Sequence, residues 1–193
     1  MSFVDSRILI YLPPNAIQTC IHCSGMPSSF WNIQLGDVIP PSLLCTQIER
    51  ECHPELLAIC NNIEGYFLVH ADSELTDTTS ETVQLLFSKL EDEMKHLLLK
   101  EKSLLFPAIQ NRHRMFVLAP GVWKYIVLTQ QSIAALLLRL RMLLNHFQII
   151  PAWNSDWSNC VQQFFQLEKK VHQWIFVEQN ILYPACIQSF SIH

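Results

Sequence analysis

The heptapeptide EKSLLFP at residues 101–107 returns in altered form as EQNILYP at residues 178–184. Both copies read Glu-x-x-aliphatic-Leu-aromatic-Pro, and their glutamates, Glu101 and Glu178, lie 77 positions apart. One copy of so short a pattern would be a weak signal, whereas two copies on separate helices are more specific. We therefore expect these glutamates to lie on the second and fourth helices of a helical protein and to converge in its interior.

Helical patterns fill the chain around these motifs. Apolar residues recur at three- and four-residue spacings, which is typical of helices that bury one face. The predicted helices span about residues 43–70, 80–105, 120–146 and 155–187. Pro54 marks a kink or a start in the first, Pro120 suits the first turn of the third, and Asn154 is a good cap for the fourth. This arrangement predicts an all-α, up-down-up-down four-helix bundle.

The N-terminal region has a different texture. Four prolines interrupt residues 1–40, and Pro41 follows them, which predicts a short irregular segment; the bundle is assigned to residues 41–193. The segment contains Cys20 and Cys23 in a Cys-x-x-Cys arrangement, which is half of a zinc or redox pattern. A second pair with suitable spacing does not follow, so a thiol or zinc function here is the least supported possibility.

Composition and charge argue against several classes of function. The net charge is −4 and the basic residues do not cluster, so nucleic-acid binding has little electrostatic support. The most apolar stretch, Ile133–Leu144, falls short of the roughly 20 residues that span a bilayer. The seven cysteines form no framework pattern and read as reduced thiols, and the N-terminus does not resemble a secretory signal. We expect a cytoplasmic protein that binds neither nucleic acid nor membrane.

The repeated motif resembles the hemerythrin-like superfamily, and more narrowly the RIC-type (repair of iron centres) di-iron proteins. His70-Ala71-Asp72, Pro54-Glu55-Leu56 and Cys23-Ser24-Gly25 are similar to further motifs of that family. The resemblance covers about residues 43–188 in outline. It implies a bundle that holds two irons through four histidines and two glutamates. It also implies a role in mending iron–sulfur clusters after nitrosative or oxidative damage, with iron–sulfur proteins as partners.

The chain departs from that family at the metal-binding histidines. The family has a histidine four residues before each motif glutamate, a spacing that puts both groups on one helix face. Leu97 and Trp174 stand at those positions here. His96 and His172 lie close in sequence, but they point roughly 140° and 120° away from the glutamates unless a π-bulge rotates them.

The other two family histidines also find no match. The first-helix position falls near Glu49 or Thr46, and the third-helix position falls at Gln131, so all four imidazoles are expected to be replaced. Glu101 and Glu178 remain the candidate metal ligands. Oxygen donors alone, from these two glutamates with Glu49 and Gln131, would suit harder ions such as manganese or magnesium.

Side chains around the expected site have simpler predicted roles. Leu97, Trp174, Leu136, Leu137 and Leu138 are expected to fill the core. Two inward carboxylates without a metal would each need an Arg, Lys or hydroxyl partner, or a proton. His70 is expected to cap or brace the first helix rather than to bind metal.

Two hypotheses of function follow. The first is a divergent member of the iron–sulfur repair family in which di-iron binding is weakened or lost, with no catalytic residue assigned. The second is a metal-free bundle that serves as an interaction module, as a homodimer or as the partner of an intact paralogue.

Overall fold

A computed structural model describes residues 33, 39–70, 78–111 and 120–188 of the chain, and these residues form four long helices. Helix α1 comprises Pro41–Gln47, a π turn at Ile48–Cys52 and His53–His70. Helix α2 comprises Thr78–Lys100, a π turn at Glu101–Leu105 and Phe106–Gln110. Helix α3 is Pro120–Leu143, and helix α4 comprises Ser155–Val177, a π turn at Glu178–Leu182 and Tyr183–Gln188.

The four helices pack as an antiparallel bundle, which confirms the predicted fold class. Helix α2 lies along α3, and α1 lies along α4. Contacts between α1 and α2 and between α3 and α4 complete the ring around one apolar core. Successive helices are therefore neighbours, as short connections favour.

The ends of α3 and α4 follow local chemistry. The Asn154 side chain accepts a hydrogen bond from the Trp157 backbone N–H at 2.7 Å, so it caps α4 as predicted. After α3, Asn145, His146 and Phe147 all have positive φ, a left-handed turn that costs about 1–2 kcal/mol per residue. Burial of the Phe147 ring offsets part of this cost.

Each π turn ends two residues before a proline, namely Pro54, Pro107 and Pro184. In an α-helix, a proline ring collides with the carbonyl four residues earlier and leaves that carbonyl without its donor. A wider turn closed by i→i+5 hydrogen bonds changes which carbonyl lies beneath the ring, so the helix can continue. Helix α1 accordingly runs through Pro54 and does not start there.

The core predictions hold with one exception. Leu97, Trp174, Leu136 and Leu137 are all buried. Leu138 is 55% exposed, so its assignment to the core was wrong. One residue along a helix is a rotation of about 100°, which carries Leu138 away from the bundle axis that Leu137 faces.

Helix α3 is unusually apolar for its position. By length and composition alone, Lys124–Leu143 is a candidate for crossing a membrane. The prediction that the most apolar stretch of the chain is too short to span a bilayer missed this helix. A core helix can pass the same test, and α3 packs against α2 and α4 in the bundle. It also buries the polar side chains of Thr129 and Gln130.

Candidate functional site: a buried carboxyl pair

Glu101 on α2 and Glu178 on α4 meet in the centre of the bundle, and we call them the carboxyl pair. Both side chains are fully buried, and their carboxyl groups lie close enough to hydrogen-bond to each other. Each glutamate is the first residue of a π turn. The predicted convergence of the two motif glutamates is thus confirmed.

Two protein side chains donate hydrogen bonds to one carboxyl oxygen of Glu178. Gln130 Nε2 donates to Glu178 Oε2 at 2.7 Å, and the Tyr183 hydroxyl donates to the same oxygen at 2.9 Å. Gln179 Nε2 donates to Gln130 Oε1 at 2.7 Å and so fixes the orientation of the Gln130 amide. The prediction placed Gln131 at this level of α3. That register was wrong by one residue, because Gln130 is the fully buried glutamine.

The π turn explains how Tyr183 reaches Glu178. Residues five apart in an α-helix point roughly 140° away from each other. Here the Tyr183 backbone N–H donates to the Glu178 carbonyl, which closes a five-residue turn and stacks the two residues on one face. A π-bulge of the kind considered for His172 is therefore present on α4, but it lies after the glutamate and brings a tyrosine to it instead.

Glu101 has an imidazole partner that the sequence reasoning missed. His53 Nε2 lies 3.0 Å from Glu101 Oε2, and the Nε2–H tautomer donates this hydrogen bond. The His53 ring is buried, stacks on Phe106 and meets Trp174 edge-on. The expectation that every imidazole near the carboxyl pair was replaced is therefore wrong.

Glu49, one of the positions predicted for a first-helix ligand, lies elsewhere. Its carboxylate pairs with Lys102 at 3.4 Å and is partly exposed. The side chain that enters the site from α1 is His53, one helical turn further along.

His53 belongs to a third, hidden copy of the motif. The segment from Ile48 to Pro54 has the same six-residue step between the start of a π turn and a proline as residues 101–107 and 178–184. His53 thus corresponds in position to Phe106 and Tyr183. Ile48 stands where the other two copies have glutamate. The one sign of the third copy in the sequence is therefore its ending, His53-Pro54, which corresponds to Phe106-Pro107 and Tyr183-Pro184.

The protonation of the carboxyl pair follows from its burial. Burial raises the pKa of Glu101 well above its usual range, and the charge and hydrogen bond of Glu178 raise it further. Burial likewise raises the pKa of Glu178, although Tyr183 and Trp174 act in the opposite direction. Burial, with a smaller effect of Lys102, lowers the pKa of His53 to about 4, so its ring is neutral near pH 7.

One proton shared by the carboxyl pair would account for the unsatisfied oxygen atoms of both groups. Glu101 Oε1 and Glu178 Oε1 are buried and accept no hydrogen bond of good geometry from the described residues, although the Trp174 indole N–H lies near the Glu178 carboxyl group. Two ionised carboxylates can only accept hydrogen bonds, whereas one protonated carboxyl can donate to the other. A single proton between them would remove both the missing bond and most of the like-charge repulsion.

The donors present do not fit a di-iron centre. Within the described ranges, no group of three or more His, Cys, Asp or Glu side chains is arranged to hold a metal ion. The Oε2 atoms of both glutamates are bonded to protein groups. Leu97 and Trp174 are fully buried where the family would place imidazoles.

The remaining predicted residues lie away from the carboxyl pair. His96 is exposed, and His172 is half-buried, with its pKa lowered to about 4 by burial and by Arg141. His70 stacks on Tyr66 and donates from Nδ1 to the Tyr66 carbonyl at 2.8 Å, which is the structural role expected of it. Cys20 and Cys23 lie outside the described residues.

Comparison with known proteins assigns no family to this chain. No family model matches the chain, and no curated protein is significantly similar to it. The bundle and its carboxyl pair therefore rest on the chain's own sequence and geometry.

Proposed function

We propose that this protein is a divergent hemerythrin-like bundle, related to the RIC-type iron–sulfur repair proteins, that works without a di-iron centre. The observation that carries the proposal is the bonding of the carboxyl pair. His53 holds Glu101, and Gln130 and Tyr183 hold Glu178, at 2.7–3.0 Å. A metal would have to displace these donors from inside a closed core.

The relationship to the di-iron family is supported by position rather than by ligands. Two glutamates from repeated motifs meet at the centre of an antiparallel four-helix bundle, from the second and fourth helices. This is where carboxylates bind metals in di-iron bundles. These hydrogen bonds offset the free-energy cost of burying the carboxyl groups, which a bound metal ion would otherwise offset.

Without a metal, the protein acts through binding rather than through redox chemistry. Its proposed role is to associate with an intact paralogue, or with another copy, during the repair of iron–sulfur proteins under nitrosative or oxidative stress. Exposed leucines on α3 and α2 give the bundle apolar surface for such contacts.

Metal analysis tests the absence of the di-iron centre. The full chain should be purified anaerobically, incubated with ferrous iron, desalted and analysed for iron, zinc and manganese. We expect well under one metal ion per chain and no oxo-bridge absorption. About two irons per chain with that absorption would contradict the proposal.

Restoring ligands tests the relationship to the family. Leu97→His with Trp174→His adds two imidazoles but leaves the carboxyl pair bonded, so we expect no iron uptake. Adding Gln130→His and Tyr183→Phe removes the donors on Glu178 and supplies a further ligand, so iron should bind. Uptake by the first variant would contradict the blocking role of the donors. A folded second variant that takes up no iron would contradict the relationship to a di-iron bundle.

A further inference from the structure

Trp174 carries a polar group near the carboxyl pair that the shared proton cannot satisfy. Its indole ring is fully buried, and Nε1 has no hydrogen-bond acceptor of good geometry among the described residues. An indole N–H can donate but cannot accept, so a proton added to a carboxyl group brings it no partner. Buried tryptophan N–H groups normally have an acceptor, so the acceptor of this one has to be identified.

The Trp174 N–H lies beside carboxyl oxygens that also lack well-formed hydrogen bonds. The Glu178 backbone N–H donates to the Trp174 carbonyl, so the two side chains lie one turn apart on the same face of α4. The indole N–H lies near the Glu178 carboxyl group, and the ring meets His53, the donor to Glu101, edge-on. Three buried polar atoms therefore cluster here: Trp174 Nε1, Glu178 Oε1 and Glu101 Oε1.

The chemistry of these three atoms determines the class of ligand that fits between them. The N–H group presents the positive end of its dipole, so it repels a metal cation and needs an acceptor. The carboxyl pair, with one proton for two groups, carries negative charge, so it repels an anion and needs a donor. The ligand that suits both sides is neutral and both accepts and donates hydrogen bonds.

The size of the ligand is limited by the surrounding core. Glu101, Glu178, Trp174 and Leu97 are all 0% exposed, so a ligand among them has no contact with bulk solvent. Water is the smallest neutral molecule that both accepts and donates hydrogen bonds. Waters in protein interiors typically make about three hydrogen bonds to polar groups that lack other partners, which is the number of atoms that cluster at this site.

We propose that the centre of the bundle binds one water molecule between Trp174 and the carboxyl pair. The water accepts a hydrogen bond from Trp174 Nε1 and donates to Glu178 Oε1 and Glu101 Oε1. Each carboxyl oxygen has two lone pairs, so both oxygens can bond to the water and still share the proton. The inference rests on the proposed metal-free function, because a metal ion bound between the two carboxyl groups would exclude this water.

The site supports one water rather than two. Leu97 stands one turn before Glu101 on α2, as Trp174 does before Glu178 on α4, and both are fully buried. The Leu97 side chain is apolar and offers no second N–H to the carboxyl pair. The single water joins α2 to α4 through the two glutamates and gives the bundle a polar contact at the level of its centre.

A high-resolution crystal structure of the full chain, with its metal content measured on the same sample, tests the site directly. We expect one water peak at roughly 2.7–3.2 Å from Trp174 Nε1, Glu178 Oε1 and Glu101 Oε1. This measurement uses the wild-type protein, so it does not depend on whether a variant folds.

Magnetic relaxation dispersion of the water oxygen tests the site in solution. The method counts water molecules that stay bound longer than the protein takes to tumble, and the exchangeable proton of the carboxyl pair does not contribute to it. Trp174→Phe removes the donor to the water and should lower the count by one per chain. The matched control is Trp157→Phe, which removes an indole N–H from a half-buried position near the start of α4 and should leave the count unchanged.

The possible failures are distinguishable. A metal-free crystal in which Trp174 Nε1 bonds directly to Glu178, with no water peak among the three atoms, would overturn the inference and leave the proposed function standing. An equal count of long-lived waters in the wild type and in folded Trp174→Phe would do the same. A metal ion bound between the carboxyl groups would overturn both.

Discussion

The centre of the bundle and the outer face of α3 both depart from the usual distribution of polar and apolar residues, in opposite directions. At the centre, Glu101 and Glu178 are ionisable groups at a level where apolar side chains normally pack. On the outer face, Leu128, Leu138 and Met142 are apolar where polar residues normally meet water. Both regions lie on long helices of the same bundle.

The two regions differ in whether other residues of the chain provide partners for the unusual side chains. His53, Gln130 and Tyr183 supply hydrogen bonds to the carboxyl pair, so the centre needs no metal ion. On the outer face of α3, by contrast, Leu128, Leu138 and Met142 remain 51%, 55% and 65% exposed in the part of the chain that the structure describes. Burial of an unusual group is therefore no guide to ligand binding until the partners of that group have been identified.

The largest effect should come from removing one member of the carboxyl pair. Glu178→Ala leaves Gln130 and the Tyr183 hydroxyl buried without their acceptor, and we expect a loss of about 3–5 kcal/mol in the free energy of unfolding. Glu64→Ala, at an exposed position on α1, should change it by less than about 0.5 kcal/mol. Urea unfolding measures both values. A loss below about 1 kcal/mol for Glu178→Ala would show that the hydrogen bonds at the centre contribute little.

Neighbouring leucines on α3 separate its two faces. Leu137→Ala removes a buried side chain and should cost about 2–5 kcal/mol in urea unfolding. Leu138→Ala removes a side chain that is 55% exposed and should cost less than about 0.5 kcal/mol. Equal losses at the two positions would mean that α3 is rotated from the orientation described.

The pH dependence of stability reports on the shared proton. The pKa values of Glu101 and Glu178 are raised in the folded state, so their stabilising contribution is complete below the unfolded pKa near 4.3 and is lost as pH rises through the folded values. His53 has a lowered pKa and acts oppositely, because its contribution is lost as pH falls from about 6.5 towards 4. His172, whose pKa is also lowered to about 4, acts like His53, and both effects fade above about pH 7, so the carboxyl effect should dominate between about pH 7 and 8.

Stability should fall across that range by at most about 1.4 kcal/mol per pH unit for each proton released. Glu178→Gln mimics a protonated carboxyl whose amide can donate to Glu101, so this variant should show a flatter profile. Urea unfolding at several pH values distinguishes the two. Identical slopes in the wild type and in Glu178→Gln would exclude a proton shared by the pair.

The smallest effect is expected at Tyr183. Tyr183→Phe removes one of two donors on Glu178 Oε2 and leaves Gln130 in place, so stability should fall by about 1 kcal/mol. A double-mutant cycle with Glu178→Ala, which removes the acceptor, measures the coupling between these residues. Additive losses would mean that the hydroxyl does not act through the carboxylate.

Much of this arrangement was predictable from local sequence. Proline positions and the Asn154 cap located helix ends, and the repeated heptapeptide identified the two glutamates that meet. His53 was not predicted because Ile48 replaces the glutamate that makes the other two copies visible. Its contact with Glu101 also joins residues 48 positions apart on different helices, which local patterns cannot reveal.

The errors on α3 have a common physical cause. An apolar pattern on both sides of a helix does not specify which side faces the core. Gln130 and Gln131 differ by one position, as do Leu137 and Leu138, and only packing against α2 and α4 decides which of each pair is buried. The sequence therefore predicted a glutamine on α3 near the carboxyl pair but not the rotation of this helix.

Diffraction from crystals grown anaerobically with excess ferrous iron tests the central claim most directly. Anomalous differences collected at the iron absorption edge should show no peak between Glu101 and Glu178, and His53 and Tyr183 should remain within hydrogen-bonding distance of them. One or two anomalous peaks between the two carboxylates, with His53 or Tyr183 displaced towards the metal, would contradict it.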